Sequence, residues 1–173
     1  MIPIWQWEKG EIPSDLCDYI VDTFNKNKYD KGKTGGWGEE AELEPSKRQV
    51  DMQFSSMNWI NALLGGYIRY ANSENFHYNL SDNDIESAQI SRYSVGEYYD
   101  EHIDFGKDNN LTRKLSLTVQ LSDENDYEGG DLIFYYGSDK DKAPRGKGSV
   151  IVFDSRTPHE VTPVTKGVRY SLV

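Results

Sequence analysis

Cysteine is nearly absent from this chain of 173 residues, since Cys17 is the only one. A single cysteine cannot form an intramolecular disulfide, which excludes a small secreted domain held together by disulfides. Apolar runs of membrane-spanning length are also missing, and the N-terminal segment lacks the charged start and apolar stretch of a signal peptide. We therefore expect a soluble, cytoplasmic protein with no membrane partner.

Positive charge is scarce as well, with 19 Lys and Arg against 29 Asp and Glu and a net charge of −10. Such a surface repels a phosphate backbone, so we expect no nucleic-acid partner. Hydrophobic residues make up 36% of the chain and aromatic residues 13%. This content, at this length, predicts a single folded domain that spans residues 1–173.

The first half of the chain carries two helical patterns. Apolar residues recur at helical spacing over residues 14–27 and again over 57–72, which predicts two amphipathic helices. The glycine-rich, polar stretch at 31–47 predicts a loop, and the alternating segment 48–54 predicts a strand. Residues 1–84 are therefore expected to form a helical support.

The second half of the chain, from residue 85 onward, is rich in β-forming residues and shows no helical pattern. Glycine-containing turns separate short apolar runs, as in an antiparallel sandwich or barrel. The predicted fold class is α+β, mainly β, with the helices before the sheets. The predicted strands cover residues 86–93, 98–103, 115–121, 132–136, 149–153 and 169–173.

Histidine occurs three times, as His77, His102 and His159. His102 and Asp104 stand two residues apart, so a strand would point both side chains to one face. His159 follows an apolar run that a barrel can place opposite His102. Two imidazoles and one carboxylate leave three octahedral positions open, as non-haem Fe(II) oxygenases require. A His-x-Asp pair is common by chance in so acidic a chain, and His77 is expected to be a surface or packing residue.

Arg169 lies ten residues after His159. The pair Lys166-Gly167 between them predicts a hairpin turn, which would return Arg169 on an adjacent strand. An arginine there can bind a carboxylate through two parallel hydrogen bonds, and Ser171 shares its face. An exposed arginine on a terminal strand is the alternative, and Lys166 is the second candidate for the anchor.

The motifs of the second half, taken together and in this order, resemble prolyl 4-hydroxylase-like Fe(II)/2-oxoglutarate-dependent dioxygenases. The matching segments are RYSVGEYYDEHID at 92–104, EGGDL at 128–132, GSVIVFDS at 148–155, HEVTPV at 159–164 and GVRYSL at 167–172. The resemblance implies a double-stranded β-helix (jelly roll) with flanking N-terminal helices, whose catalytic half is residues 85–173. It also implies that His102, Asp104 and His159 hold the iron.

The resemblance further implies a co-substrate pocket, in which Arg169 binds the distal carboxylate of 2-oxoglutarate. Ser171, Tyr93 and Tyr99 would line that pocket. Gln120 and Ser116, which alternate on one predicted strand, are further candidates. The implied cofactors are Fe(II), 2-oxoglutarate and O2, with L-ascorbic acid as an additional candidate. The reaction would hydroxylate a C–H bond while 2-oxoglutarate is decarboxylated to succinate and CO2.

The substrate that the resemblance favours is a prolyl residue in a peptide or protein. The loop at 31–45, with Trp37 at its centre, could fold over a bound peptide, and Arg92 and Arg113 are candidate substrate contacts. Two alternatives stay open. The same chemistry could act on a lysyl residue, a free amino acid or another small molecule, or the chain could be a non-catalytic β-barrel binding module. The sequence indicates no oligomeric state.

Overall fold

The computed structural model describes residues 4–33, 43–81, 85–105 and 112–173. These residues form two α-helices, α1 (Ser14–Phe24) and α2 (Asn58–Ala71), and a π-helical turn at Asn72–Phe76 extends α2. They also form fourteen strands. The strands are β1 (Ile4–Trp7), β2 (Asp30–Lys31), β3 (Arg48–Gln49), β4 (Asp51–Phe54), β5 (Gln89–Tyr93), β6 (Tyr98–His102), β7 (Leu115–Gln120), β8 (Tyr127–Gly129), β9 (Leu132–Tyr136), β10 (Asp139–Lys142), β11 (Val150–Asp154), β12 (His159–Val161), β13 (Val164–Gly167) and β14 (Arg169–Leu172).

The strands assemble into two main antiparallel sheets and one strand pair. The larger sheet has the order β1-β11-β7-β14-β5-β4-β2, and the smaller has the order β10-β9-β12-β6-β3. β13 and β8 pair separately. β5, β6 and β7 alternate between the two main sheets, as do β10, β11 and β12, which is typical of a jelly roll. The predicted fold class, mainly β with N-terminal helices and a jelly-roll half, is confirmed.

Two apolar clusters lie on opposite faces of the larger sheet. On β11, Val150 and Val152 join the cluster that packs against α1 and α2, whereas Ile151 and Phe153 join the cluster between the sheets. This alternation follows from the two-residue period of a strand. The apolar residues of β7 also belong to the helix-facing cluster. The opposite face of β7 therefore presents its buried polar residues, Ser116, Thr118 and Gln120, to the space between the sheets.

Both predicted helices are present, and the first ends at Phe24 rather than at residue 27. The single strand predicted over 48–54 is wrong. The chain breaks at Val50, and β3 and β4 belong to different sheets. The sequence also gave no indication of β1, which pairs with β11 at an edge of the larger sheet. Neither helix in the described part of the chain has the length and apolarity needed to cross a membrane.

The hairpin predicted around Lys166-Gly167 is also wrong. β13 pairs with β8, whereas β14 lies in the larger sheet between β5 and β7. Gly167 makes the crossing possible. It has a φ of 72°, and a Cβ there would lie 2.0 Å from the carbonyl oxygen of Asp126. Glycine alone tolerates both the left-handed backbone and this close approach.

Candidate metal and co-substrate site

Three potential metal ligands converge between the sheets. His102 ends β6 and His159 begins β12, and the two histidines are register partners across these strands. Asp104 lies just beyond β6, where its backbone N–H donates to the carbonyl of Ser155 at 2.9 Å. The ligating atoms of the three side chains all lie within 4.8 Å of one another. Such a group of side chains could hold one metal ion.

Both imidazoles are oriented by backbone carbonyls. Nδ1 of His102 lies 2.7 Å from the carbonyl oxygen of Asp100, and Nδ1 of His159 lies 2.9 Å from that of Thr157. Because a carbonyl oxygen can only accept, each Nδ1 carries the proton. Each Nε2 then presents a lone pair toward Asp104, whose oxygens lie 3.6 Å and 3.8 Å away. A metal-binding histidine is normally oriented in this way.

The Asp104 carboxylate is held by a serine pair. Ser116 Oγ donates to Oδ2 of Asp104 at 2.6 Å and lies 3.1 Å from Ser155 Oγ. Burial acts to raise the pKa of Asp104. The neighbouring imidazoles of His159 and His102 and the Ser116 hydroxyl outweigh it and lower that pKa below the usual range. Asp104 is therefore an anion at neutral pH, as a metal ligand must be.

Aromatic side chains enclose the two imidazoles. The Tyr99 ring stacks on His102 with centroids 3.5 Å apart, and Phe153 contacts His159 edge-on at 4.8 Å. His159 is 5% exposed. Burial lowers its pKa, despite the opposing influence of Asp104. The ring is therefore kept neutral, and a neutral imidazole can donate its lone pair to a metal.

Arg169 is buried on the inner face of β14. The residue is 1% exposed, and Nη2 donates to Oε1 of Gln120 at 3.0 Å. Its Nε and Nη1 atoms have no hydrogen-bond partner among the residues that the structure describes. A buried guanidinium normally has an anionic partner, so these free donors fit a bound carboxylate.

Of the other predicted co-substrate residues, Tyr93 and Ser171 lie close to Arg169 or its partner Gln120, whereas Tyr99 lies against His102. The guanidinium carbon of Arg169 lies 5.4 Å from the Tyr93 ring centroid, and Ser171 is the register partner of Gln120. Burial raises the pKa of Tyr93, although the nearby guanidinium groups of Arg48 and Arg169 act to lower it. Burial also raises the pKa of Tyr99 to about 12. Both phenols therefore remain hydrogen-bond donors at neutral pH.

The remaining predicted residues have different surroundings. Arg113 forms a bidentate pair with Glu86 and donates to the carbonyl of Asp104 at 3.2 Å, so it borders the ligand cluster. Arg92 points to the opposite face of β5, where it pairs with Asp51 and covers the Tyr29 ring. The structure therefore does not bring Arg92 together with the site. Trp37 lies outside the described residues.

Several groups of the site were not predicted. Arg48 lies over the Tyr99 ring, with its guanidinium carbon 4.6 Å from the centroid. Ser155 and Thr157 contribute the backbone carbonyls that hold Asp104 and His159. A backbone carbonyl has no residue-specific pattern, so the sequence offered no signal for these contacts. For Arg48, the sequence indicated only that it begins the alternating segment 48–54, for which a strand was predicted.

Comparison with known proteins identifies the family. A family model described as the 2OG-Fe(II) oxygenase superfamily matches residues 88–173. A PKHD-type hydroxylase of Gloeothece citriformis is 36% identical over 163 residues, which cover 91% of this chain and 70% of that protein. The matches to two further PKHD-type hydroxylases span only 41% and 40% of those proteins.

Solved structures share the fold. A prolyl-4-hydroxylase of Pseudomonas putida superposes with a TM-score of 0.76 at 18% identity, covering 98% of this chain and 89% of that one. A prolyl hydroxylase of Trichoplax adhaerens, in complex with a peptide fragment of hypoxia inducible factor, gives 0.78 at 16% identity and covers 98% and 81%. The chain therefore belongs to the 2OG-Fe(II) oxygenase superfamily, whose members depend on Fe(II), 2-oxoglutarate and O2.

Proposed function

We propose that this protein is a 2-oxoglutarate-dependent dioxygenase that hydroxylates a prolyl residue in a peptide or protein. One observation carries the proposal. A cluster of two imidazoles and one carboxylate shares the space between the sheets with a buried guanidinium that has two unpartnered donors. A simple structural metal site would need no such guanidinium, whereas a dioxygenase needs an anchor for its keto acid.

The donor set fits Fe(II). Nε2 of His102, Nε2 of His159 and one oxygen of Asp104 would bind the ion from one side and leave three positions open. Ser116 holds the Oδ2 atom of Asp104, which favours monodentate binding through Oδ1. Bound Fe(II) and 2-oxoglutarate supply the oxidising chemistry, in which decarboxylation to succinate and CO2 accompanies hydroxylation of a substrate C–H bond.

The pocket also fits 2-oxoglutarate. Arg169 would bind the distal carboxylate through a free donor, Nε or Nη1, while Gln120 holds its Nη2 atom in place. The Ser171 hydroxyl lies on the same face of β14 and would donate to that carboxylate. Tyr93 and Tyr99 would border the co-substrate and, with Phe134 and Phe153, exclude water from the ligand cluster.

Proteins of the same fold that hydroxylate prolyl residues support a peptidyl-prolyl substrate. Two solved structures of the same fold are prolyl hydroxylases, one of them in complex with a peptide. Arg113 borders the ligand cluster and is a candidate substrate contact, although Glu86 already occupies much of its guanidinium. A lysyl residue, a free amino acid or another small molecule would use the same iron and co-substrate residues.

The experiment is an anaerobic reconstitution with Fe(II) and 2-oxoglutarate, followed by O2 and measurement of succinate. We expect succinate release that rises when proline-containing peptides are added, with a mass increase of one oxygen on proline. The assay should be run with and without ascorbate as a reductant. Failure to bind iron or 2-oxoglutarate, with no succinate, would contradict the enzyme assignment and favour a binding module. Turnover with small amino acids alone would contradict the peptidyl-prolyl substrate.

A further inference from the structure

The turn formed by residues 154–157, between β11 and β12, supports two of the three proposed metal ligands. The carbonyl of Ser155 accepts hydrogen bonds from the backbone N–H groups of Asp104 and Phe105, each at 2.9 Å. The carbonyl of Thr157 faces Nδ1 of His159 at 2.9 Å. A displacement of this turn would therefore move the Asp104 backbone and rotate the His159 ring together.

The side chain of Asp154 closes this turn from within. Its Oδ1 accepts from the backbone N–H and from Nε of Arg156, both at 2.9 Å, and its Oδ2 accepts from Nη2 of Arg156 at 2.6 Å. The backbone adds a hydrogen bond from Thr157 N–H to the carbonyl of Asp154 at 2.9 Å. Asp154 is 8% exposed, so the carboxylate that accepts these bonds is largely buried.

Tyr78 fastens the turn to the helical layer. Its hydroxyl donates to Oδ2 of Asp154 and accepts from Nη2 of Arg156, so three side chains share one closed set of hydrogen bonds. Tyr78 is itself fixed, because the Asn72 side chain accepts from its backbone N–H at 2.8 Å and donates to its carbonyl at 2.9 Å. Asn72 begins the π-helical turn that extends α2.

We propose that Tyr78, Asp154 and Arg156, the turn-anchoring cluster, are positioning residues that tune the affinity and geometry of the metal site. None of the three contributes a ligand atom to the cluster of His102, Asp104 and His159. They act through the carbonyls of residues 155 and 157. The proposal rests on the metal site of the proposed function. Through Tyr78, it gives the segment that follows α2 a role in that site.

The physical reason is the narrow tolerance of a metal site. Ligand distances must lie within about 0.2 Å of their preferred values, and groups that orient the ligands typically change metal affinity by about 10- to 100-fold. The turn-anchoring cluster is one step further from the metal. One backbone carbonyl of the turn holds Asp104 and another holds His159. A shift of the turn after loss of the turn-anchoring cluster should therefore displace both ligands.

The test uses Tyr78→Phe, which removes one hydroxyl and keeps the ring, and measures anaerobic binding of Co(II), a stand-in for Fe(II). We expect about tenfold weaker Co(II) binding than in the wild type and a shifted Co(II) absorption spectrum. Tyr67→Phe is the matched control, because Tyr67 lies on α2 and donates its hydroxyl to Glu11 at 3.0 Å rather than to the turn. It should leave affinity and spectrum unchanged.

The outcomes separate this proposal from the proposed function. If the wild-type protein binds no Co(II), the metal site itself is wrong and both proposals fall. If the wild type binds and Tyr78→Phe binds equally well with the same spectrum, the role of the turn-anchoring cluster is refuted and the proposed function stands. Arg156, with a side chain 58% exposed, provides a second variant that should fold. Arg156→Ala should weaken binding, and Arg156→Lys should restore part of the loss.

Discussion

At the scale of single residues, some polar atoms of the site have hydrogen-bond partners in the protein and others do not. The Nδ1 atoms of His102 and His159 and the Oδ2 atom of Asp104 each have a protein partner. Nε2 of His102 lies 3.6 Å from Oδ1 of Asp104, and Nε2 of His159 lies 3.8 Å from Oδ2, distances too long for hydrogen bonds. The ligand cluster is therefore prepared for an ion rather than for mutual pairing.

The first prediction concerns His102. His102→Ala removes one of the three proposed ligands, so metal binding should be lost. Equilibrium dialysis with Co(II) under anaerobic conditions measures this. His77→Asn is the control, because His77 is exposed and adopts a φ of 57°, which asparagine tolerates. Retained metal binding in His102→Ala would show that the ion binds elsewhere.

The second prediction concerns Arg169. Arg169→Ala should raise the 2-oxoglutarate concentration needed for half-maximal turnover by roughly 100-fold, since charge-assisted hydrogen bonds contribute up to about 3 kcal/mol. Co(II) binding should be largely retained. Lys166→Ala serves as the control, because the Lys166 side chain is 73% exposed and pairs with Glu128. A shift in the Lys166 variant alone would move the anchor to that residue.

At the scale of elements, strands with a clear local pattern of residue types could be predicted from the sequence. β7 alternates between Leu115, Leu117 and Val119 on one face and polar residues on the other, and its bounds differ from the prediction by one residue. The break at Val50 and the corner at Gly167 could not be predicted. Each depends on which sheet the chain joins next, and no local pattern encodes that choice.

The same distinction applies to the site. His102, Asp104 and His159 lie close together, as strand periodicity and residue chemistry led us to expect. Arg92 was a poor candidate for a reason already present in the sequence. It adjoins Tyr93 on one strand, and neighbouring strand residues point to opposite faces. The supporting carbonyls of Ser155 and Thr157 required the structure, because any residue supplies the same group.

The third prediction concerns the turn that precedes β9. Gly129 and Gly137 both have left-handed backbones, with φ of 70° and 66°. A Cβ at Gly129 would lie 2.1 Å from the carbonyl oxygen of Pro163, whereas a Cβ at Gly137 meets nothing within 4 Å. Gly137→Ala should cost about 1 kcal/mol of unfolding free energy, from backbone strain alone. Gly129→Ala should cost at least about 2 kcal/mol more, because the backbone must move.

Urea denaturation of the two glycine variants measures this difference. The comparison is matched because both substitutions add one methyl group to a residue whose backbone has a left-handed conformation. Equal costs for the two would mean that the β13–β8 pair shifts freely to relieve the contact. Since Gly130, the next residue, packs against the Arg169 stem, such freedom would also loosen the co-substrate pocket.

At the scale of the whole molecule, three layers pack in sequence: helices, larger sheet and smaller sheet. Apolar clusters fill both gaps, and a few buried or half-buried carboxylates also tie the layers together. Asp51 binds Lys31 and Arg92 across neighbouring strands. Asp154 joins the end of β11 to Tyr78 in the helical layer. Such contacts make the stability of the fold depend on pH in a calculable direction.

The fourth prediction is the acid dependence that Asp154 confers. Burial, the largest influence, acts to raise the pKa of its carboxyl, but hydrogen bonds from Arg156 and Tyr78 outweigh it and lower that pKa from 3.8 to about 2. A lowered pKa stabilises the fold above the unfolded-state value near 3.8. The contribution, about 2 kcal/mol, is lost as the pH falls from about 4 to 2.

The variant Asp154→Asn isolates this contribution, since an amide resembles the protonated acid but does not titrate. Its unfolding free energy should lie about 2 kcal/mol below that of the wild type at about pH 7, and the difference should shrink as the pH falls through 4 toward 2. Urea denaturation at several pH values measures the difference. Asp139→Asn, on the exposed edge strand β10, is the control and should leave the unfolding free energy at about pH 7 nearly unchanged. If the Asp154→Asn difference stays constant down to about pH 3, other carboxylates must account for the acid sensitivity of the fold. The link between the helical layer and β11 would then depend on packing rather than on charge.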